Sequence, residues 1–397
     1  MFFLLLLGIL LAWLSSRILY KNYWNKGLSV RIEFTERCLY EGERSAMRET
    51  VINDKILPLP ALEVRFSSNR NLEFLNEARA NTNATDNCYK RDVFSFLFHQ
   101  KIERTLPFTA GKRGFYQIYE VTAIGYDFFF RSGYYADFPS RTFLYVYPRQ
   151  ADTRRIAVLC RAISGSALAR SRLLPDPFEF SGIREYRRED PVNHINWKAS
   201  ARTGELMTNQ FDSTTDIRLT LIFDMEDRLI LKYEDLVEET IRIASSLSAR
   251  LAKSRMSFRI ISNAANVHAS APDARNFHAE TTQTAADTAP AAKVPFSMTV
   301  NAESRDITFL NQALARMDST NIALEMETLL GEEAVLKKSG HTYVFISKNR
   351  EDTLLQSLRR LAKTNNEILW VLPIRPADAA LLTSFNEPGI KRILWEI

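Results

Sequence analysis

The sequence predicts a multidomain chain: an N-terminal transmembrane helix, an all-β sandwich, then an α/β domain with a doubly wound parallel sheet. Three observations lead there. The opening run FFLLLLGILLAWL is apolar on every face. Short segments of alternating apolar and polar residues follow, with turn residues between them and no helical stripe. Beyond Ile217, nearly continuous apolar runs alternate with helical stripes. A chain of 397 residues is also too long for one ordinary core.

The first element is the anchor, residues 1–20. The apolar run from Phe2 reaches about Tyr20 if Ser15, Ser16 and Arg17 sit near an interface, roughly nineteen residues and near the length that spans a bilayer. A signal peptide would carry a basic stretch before the run and a small-residue cleavage site after it, and neither is present. Arg17, Lys21, Lys26 and Arg31 all follow the run, so the positive-inside rule places the body of the protein in the cytoplasm, with a single pass through the cell membrane.

Residues 28–150 form the predicted sandwich. LSVRIEF, ALEVRF, FYQIYEVTAIGYD and TFLYVYP alternate and are rich in β-branched and aromatic residues. The polar run Asn76 to Asn87 reads as a surface loop. Residues 151–216 are arginine-rich and hold the run REYRREDPVNHINWKASARTG. Residues 217–397 form the α/β domain, with strands at Ile217–Asp224, Met256–Ser262, His341–Ser347 and Glu367–Pro373. Between strands, Tyr233, Leu236, Val237, Thr240, Ala244, Leu247 and Leu251 share one helix face, and Leu354, Leu355, Leu358 and Leu361 share another. The segment 263–295 is rich in Ala, Thr, Asn and Pro and reads as a mobile loop.

Within the arginine-rich run, Asp190-Pro191 is a helix start, with Asp as N-cap and Pro at the first helical position. Val192, Ile195 and Ala199 fall on one face, Arg202 suits the last turn, and Gly204 suits the left-handed position past the end. The spacing predicts a helix over 191–203, with Trp197 off the stripe and free to pack on a neighbouring domain. The bland reading is a docking joint. The functional reading is a site for an anion or partner peptide, with Arg184, Arg187, Arg188 and Arg202 as binders.

This run resembles the signature of a bacterial family called domain of unknown function fifty-eight, approximately G-x-R-x-Y-x-x-G-D-x-x-x-x-I-x-W-x-x-x-A-R. Gly182, Arg184, Tyr186, Asp190, Ile195, Trp197, Ala201 and Arg202 match it, and Glu189 stands where that family has Gly. The resemblance extends over most of the chain, including Gly42 to Arg44 and Leu57 to Pro60. It implies a membrane segment, a β-domain and a von Willebrand A-like α/β domain. It also implies partnership with a MoxR-type AAA+ ATPase in protein maturation or complex assembly.

An A-type domain raises the question of Mg²⁺, held in such domains by D-x-S-x-S after the first strand, a Thr and a later Asp. Here Asp224 matches and Thr320 is the candidate Thr. Glu226 and Arg228 replace the serines, and the later strand ends at Ser347 where the Asp is wanted. The site is degenerate, and no cofactor is expected. No phosphate loop, dinucleotide fingerprint, H-E-x-x-H, C-x-x-C pair or G-x-S-x-G elbow occurs, so no catalytic residue is assigned. Cys38, Cys88 and Cys160 have no metal-ligand spacing, and a net charge of +5 without a basic stripe does not suggest nucleic acid. The expected function is therefore a membrane-anchored, non-enzymatic scaffold or adaptor engaged in protein–protein interaction. The alternative is a metal-dependent ligand binder or enzyme using Asp224 and the signature arginines.

Overall fold

The computed structural model describes residues 2–74, 82–84, 87–130, 133–171, 180–187, 190–211, 219–228, 233–266, 293–301, 304–336, 340–363, 366–379, 385 and 387–397. The chain divides into two compact units, Met1–Arg149 with Leu314–Arg316, and Gln150–Ala313 with Met317–Ile397.

In the first unit a helix, α1 (Phe2–Tyr23), precedes ten strands. They are β1 (Leu28–Phe34), β2 (Cys38–Tyr40), β3 (Arg44–Asn53), β4 (Leu59–Asn69), β5 (Leu72–Phe74), β6 (Thr82–Ala84), β7 (Asn87–Phe96), β8 (Gln100–Ala110), β9 (Gly114–Tyr126) and β10 (Gly133–Tyr147). Four form a sheet in the order β1-β3-β8-β5, and six form a second in the order β2-β10-β9-β4-β7-β6. Between them lies one core containing Val30, Ile32, Met47, Val51, Leu62, Val64, Phe108 and Val121. This is a β-sandwich. The period of two produces it: along β1, Leu28, Val30, Ile32 and Phe34 are buried while Ser29, Arg31 and Glu33 are exposed.

The N-terminal expectation is corrected. Among the described residues no helix is long and apolar enough to cross a membrane, so a single-pass anchor over 1–20, and the cytoplasmic placement built on it, are not supported. The unbroken apolar run Phe2 to Leu14 rises only about 20 Å as helix, against a hydrocarbon core of about 30 Å. Ser15, Ser16, Arg17 and Lys21 then interrupt it. Its far end belongs to the sandwich: Tyr20 and Trp24 are buried in that core, and the Tyr20 hydroxyl donates to Pro58 O at 2.6 Å. Gly125 is where this packing is tightest, because a Cβ there would overlap the Trp24 ring. Gly125→Ala is expected to lower stability by about 1–3 kcal/mol, read as a fall in the urea midpoint. An unchanged midpoint would show that the Trp24 ring can move aside freely.

The second unit begins with α2 (Thr153–Ser171), followed by a two-stranded antiparallel ribbon of β11 (Phe180–Glu185) and β12 (Met207–Phe211). Between those strands lie a 3₁₀ turn, Val192–His194, and a short helix, α3 (Trp197–Thr203). Then come β13 (Leu219–Phe223), α4 (Glu234–Lys253), β14 (Phe258–Ala265), β15 (Pro295–Val300), α5 (Ser304–Arg316), α6 (Met326–Val335), β16 (Thr342–Ile346), α7 (Asp352–Ala362), β17 (Glu367–Ile374), α8 (Pro376–Ala379) and β18 (Ile390–Glu396). These six strands form one sheet in the order β15-β14-β13-β16-β17-β18. Strand β13, fully buried, sits between two parallel neighbours, β14 and β16.

The predicted fold class, a transmembrane helix followed by a sandwich and a doubly wound von Willebrand A-like domain, is corrected here too. Eighteen strands against eight α-helices make the described chain mostly sheet. The C-terminal sheet is mixed and not all-parallel, because β15 returns antiparallel to β14. Part of the reason lies in segment 263–295: Asn263 to Ala265 extend β14 and Pro295 opens β15, while 267–292 lie outside the described residues. The expected surface loop Asn76 to Asn87 likewise carries β6; 75–81 and 85–86 lie outside the described residues.

Candidate functional site

Two clusters of the second unit hold the residues singled out in the sequence. The first is the β11–β12 ribbon with its connecting segment. Arg184 on β11 grips Asp190 with both prongs of its guanidinium, Nη1 to Oδ2 at 2.8 Å and Nη2 to Oδ1 at 2.7 Å. The Arg187 N–H donates to the same Oδ2 at 2.9 Å, and the Tyr186 hydroxyl donates to Asp190 O at 3.2 Å. The Arg184 hydrogen bonds and then the Arg187 N–H hold the Asp190 carboxyl below its ordinary value. Arg184, Tyr186 and Asp190 thus bond to one another, and the Arg184 fork already holds a carboxylate of its own chain. Gly182 stands at a register shift in β11, and no atom lies within 4 Å of where its Cβ would be. Arg188 and Glu189 lie outside the described residues.

The single helix expected over 191–203 is corrected. Asp190 is taken up by Arg184 and caps nothing; Pro191 and Ile195 are extended, and the helical part is split. The true N-cap of α3 is Asn196, whose Oδ1 accepts from Ala199 N at 3.0 Å. Its Nδ2 donates to Asn209 Oδ1 at 2.8 Å and its N–H to Met207 O at 2.8 Å, so one residue both starts α3 and fixes it to β12. Gly204 closes α3 in the left-handed region, φ 78°, as expected. Asn196 carries the usual N-cap chemistry, but the Asp-Pro pair six residues upstream is the stronger local signal and hides it.

Trp197, expected to plug a neighbouring surface, is 67 % exposed at the first residue of α3. Val192, Ile183 and Leu206 are exposed on the same ribbon unit. A groove of about 300 Å³ is lined by Ile183, Asn196, Lys198, Ala199, Arg202 and Met207, with Thr203 at its side. Arg202 and Lys198 give this apolar floor a cationic wall.

The second cluster is at the C-terminal ends of β13, β14 and β16. Asp224 follows β13 and is buried. Its Oδ1 accepts from Glu226 N at 3.0 Å and from Asn263 Nδ2 at 2.9 Å. Its Oδ2 accepts from Ser347 Oγ at 2.8 Å and from Asn349 Nδ2 at 2.8 Å. Burial pushes the carboxyl up from its ordinary value, against the pull of these donors. Beside it Lys348 and Asp227 form a buried ion pair at 2.6 Å. Arg228 is held by Glu327 on two oxygens at 2.5 Å, by Glu226 at 2.9 Å and by Glu351 at 2.9 Å, which raises its pKa further.

This arrangement does not fit Mg²⁺. Four donors fill the four lone-pair directions of the Asp224 carboxylate, leaving none for an ion. Thr320 is exposed and bonded to Asp318, its hydroxyl donating at 2.7 Å. Among the described residues no group of three or more His, Cys, Asp or Glu is placed to hold a metal. Sequence reasoning missed Asn263, Lys348 and Asn349, and saw in Ser347 only the lack of an Asp, although polar residues directly after a buried strand were a signal available to it.

No family model matches the chain, and no curated protein matches it. Solved structures do. The chain is similar to the CARDB domain of a Pyrococcus furiosus protein, with 16 % identity over 29 % of this chain and 86 % of that one, at a TM-score of 0.19. It is also similar to a non-cellulosomal cohesin from Archaeoglobus fulgidus, with 7 % identity over 30 % and 90 %, at 0.21. A third likeness is to BslA, a bacterial hydrophobin, with 16 % identity over 32 % and 97 %, at 0.20. Scores this low carry no argument about function.

Proposed function

We propose that this protein is a non-enzymatic scaffold or adaptor that docks a protein partner on the β11–β12 ribbon and α3. The observation that carries it is Trp197, a large apolar side chain 67 % exposed on a rigidly capped helix. Tryptophan in such a setting is the residue type that most often anchors an interface. The groove next to it offers Ile183, Ala199 and Met207 as a floor and Lys198 and Arg202 as charged contacts. A partner presenting an apolar side chain flanked by acids would complement it. Arg184 and Asp190 serve this surface by clamping β11 to the segment that leads into α3. The resemblance of the Gly182–Arg202 run to the domain-fifty-eight signature supports a MoxR-type AAA+ ATPase as the partner class. The sealed Asp224 cluster gives the metal-dependent alternative no observation in its favour.

Affinity capture on the full-length protein tests this. An AAA+ ATPase is expected in the captured material, reduced about tenfold or more by Trp197→Ala and less by Arg202→Ala, with circular dichroism unchanged. Equal capture by wild type and Trp197→Ala would remove the ribbon from the interface.

A further inference from the structure

Away from the ribbon, one end of the β-sandwich carries its own exposed apolar surface. Three loops meet there. The β3–β4 loop presents Ile56, the β7–β8 turn presents Leu97 and Phe98, and the β9–β10 loop presents Phe128, Phe129 and Phe130; each is half or more exposed, Ile56 at 78 %. The loops are tied into one platform. Asn53 Nδ2 donates to Leu57 O at 3.1 Å and to Leu97 O at 2.7 Å, and His99 N donates to Lys55 O at 3.1 Å. The Tyr20 side chain bridges the other pair, with its hydroxyl on Pro58 O and its ring 5.8 Å from the Phe128 ring. In the phenylalanine loop Asp127 turns inward: its Oδ1 accepts from Phe129 N at 3.1 Å and its carbonyl from Phe130 N at 3.0 Å. The backbone is thus satisfied locally while three aromatic rings face solvent.

Large apolar side chains gathered on one exposed platform mark an interaction surface. Charge says what covers it. Around this end stand Arg17, with its guanidinium 5.6 Å from the Trp13 ring, Lys26, with its ammonium 4.5 Å from the Tyr23 ring, and exposed Lys21. In the β3–β4 loop the exposed acid, Asp54, is held by His99 at 3.0 Å. Aromatic rings beside long cationic side chains match the boundary between lipid tails and anionic headgroups, where rings enter the apolar edge and cations stay with phosphate. The exposed leucines of α1, among them Leu10, Leu11 and Leu14, continue the apolar surface from the same end.

We infer that this end of the sandwich, through Ile56, Leu97, Phe98 and Phe128–Phe130, docks on the surface of an anionic phospholipid bilayer. The contact is interfacial: the loops enter the headgroup boundary of one leaflet and no element crosses it. It stands independently of the partner surface at Trp197.

The test is flotation of the full-length protein with phosphatidylcholine vesicles, with and without phosphatidylserine. A companion preparation carries an environment-sensitive fluorophore at position 129 in a cysteine-free background. Binding is expected to require phosphatidylserine and to weaken with salt, and the fluorophore to report an apolar environment on binding. Replacing Phe128, Phe129 and Phe130 with serine is expected to lower the bound fraction about tenfold, and Leu97→Ser with Phe98→Ser to lower it as well. These side chains are exposed, so an unchanged circular dichroism spectrum should accompany the loss. If both loop variants float like wild type while the fluorophore stays in water, α1 alone accounts for binding and the inference falls. It falls equally if the protein floats with no vesicle.

Discussion

Replacing Asp224 with alanine is expected to lower the stability of the second unit by about 3–5 kcal/mol, because several buried donors lose their acceptor at once and each costs about 1–3 kcal/mol. The carboxylate gathers four donors from three strand ends; Asp224, Asn263, Ser347 and Asn349 are buried and Glu226 is half-buried. Without it, Asn263 Nδ2, Ser347 Oγ and one proton of Asn349 Nδ2 lose their acceptor, although Asn349 keeps its bond to Glu226 O at 2.9 Å. Asp224→Asn is the sharper probe. It preserves shape but places an amide N–H₂ against donors, so it should recover little of the loss. The measurement is urea unfolding at neutral pH with circular dichroism. A change below about 1 kcal/mol for Asp224→Ala would mean that water enters and satisfies the orphaned donors, and that the cluster is an open site after all.

Why the sequence hides this cluster is a matter of distance along the chain. Asp224 meets Asn263, Ser347 and Asn349, which lie 39, 123 and 125 residues away. No local pattern announces such a meeting. Local patterns did reveal strands: the alternation in LSVRIEF is the burial pattern of β1, and the apolar block before Asp224 is the buried β13. Helix α2 was missed because Arg154, Arg155 and Arg161 colour the segment as a charged connector. Yet Ile156, Leu159, Cys160 and Ile163 are buried at helical spacing beneath them. At Asp190 the reverse happened. Asp190-Pro191 is a good helix start by type, but Arg184 competes for the same carboxylate with two charge-assisted bonds, and a tertiary partner outranks a cap. The N-terminal segment failed for a third reason. A hydropathy reading carries the membrane segment on to about Tyr20, whereas Tyr20 and the nearby Trp24 are committed to the sandwich core.

The second large effect expected is a loss of sandwich stability as pH rises through neutrality. Glu49 sits on β3 with no exposed surface, in register between Ile32 on β1 and Arg104 on β8. Neither of its carboxylate oxygens has a hydrogen-bond partner among the described residues. Arg104, the obvious candidate, is engaged with Asp92 at 2.5 Å. Burial, and then repulsion from Asp92, push Glu49 up from 4.5 to about 7, while Lys90 and Arg104 oppose the shift without cancelling it. A carboxyl whose folded value exceeds its unfolded value binds its proton more tightly in the folded state. Its contribution is therefore complete below about pH 4.5 and lost as pH climbs through about 7. A shift of this size corresponds to something on the order of 3 kcal/mol across that window. Glu49→Gln, which cannot ionise, isolates it: the variant should match wild type near pH 5 and exceed it by about 2–3 kcal/mol near pH 8, in paired urea titrations. A wild-type-minus-variant difference that stays constant between those two pH values would mean that Lys90 or Arg104 reaches Glu49 in solution and that the charge on β3 is paired.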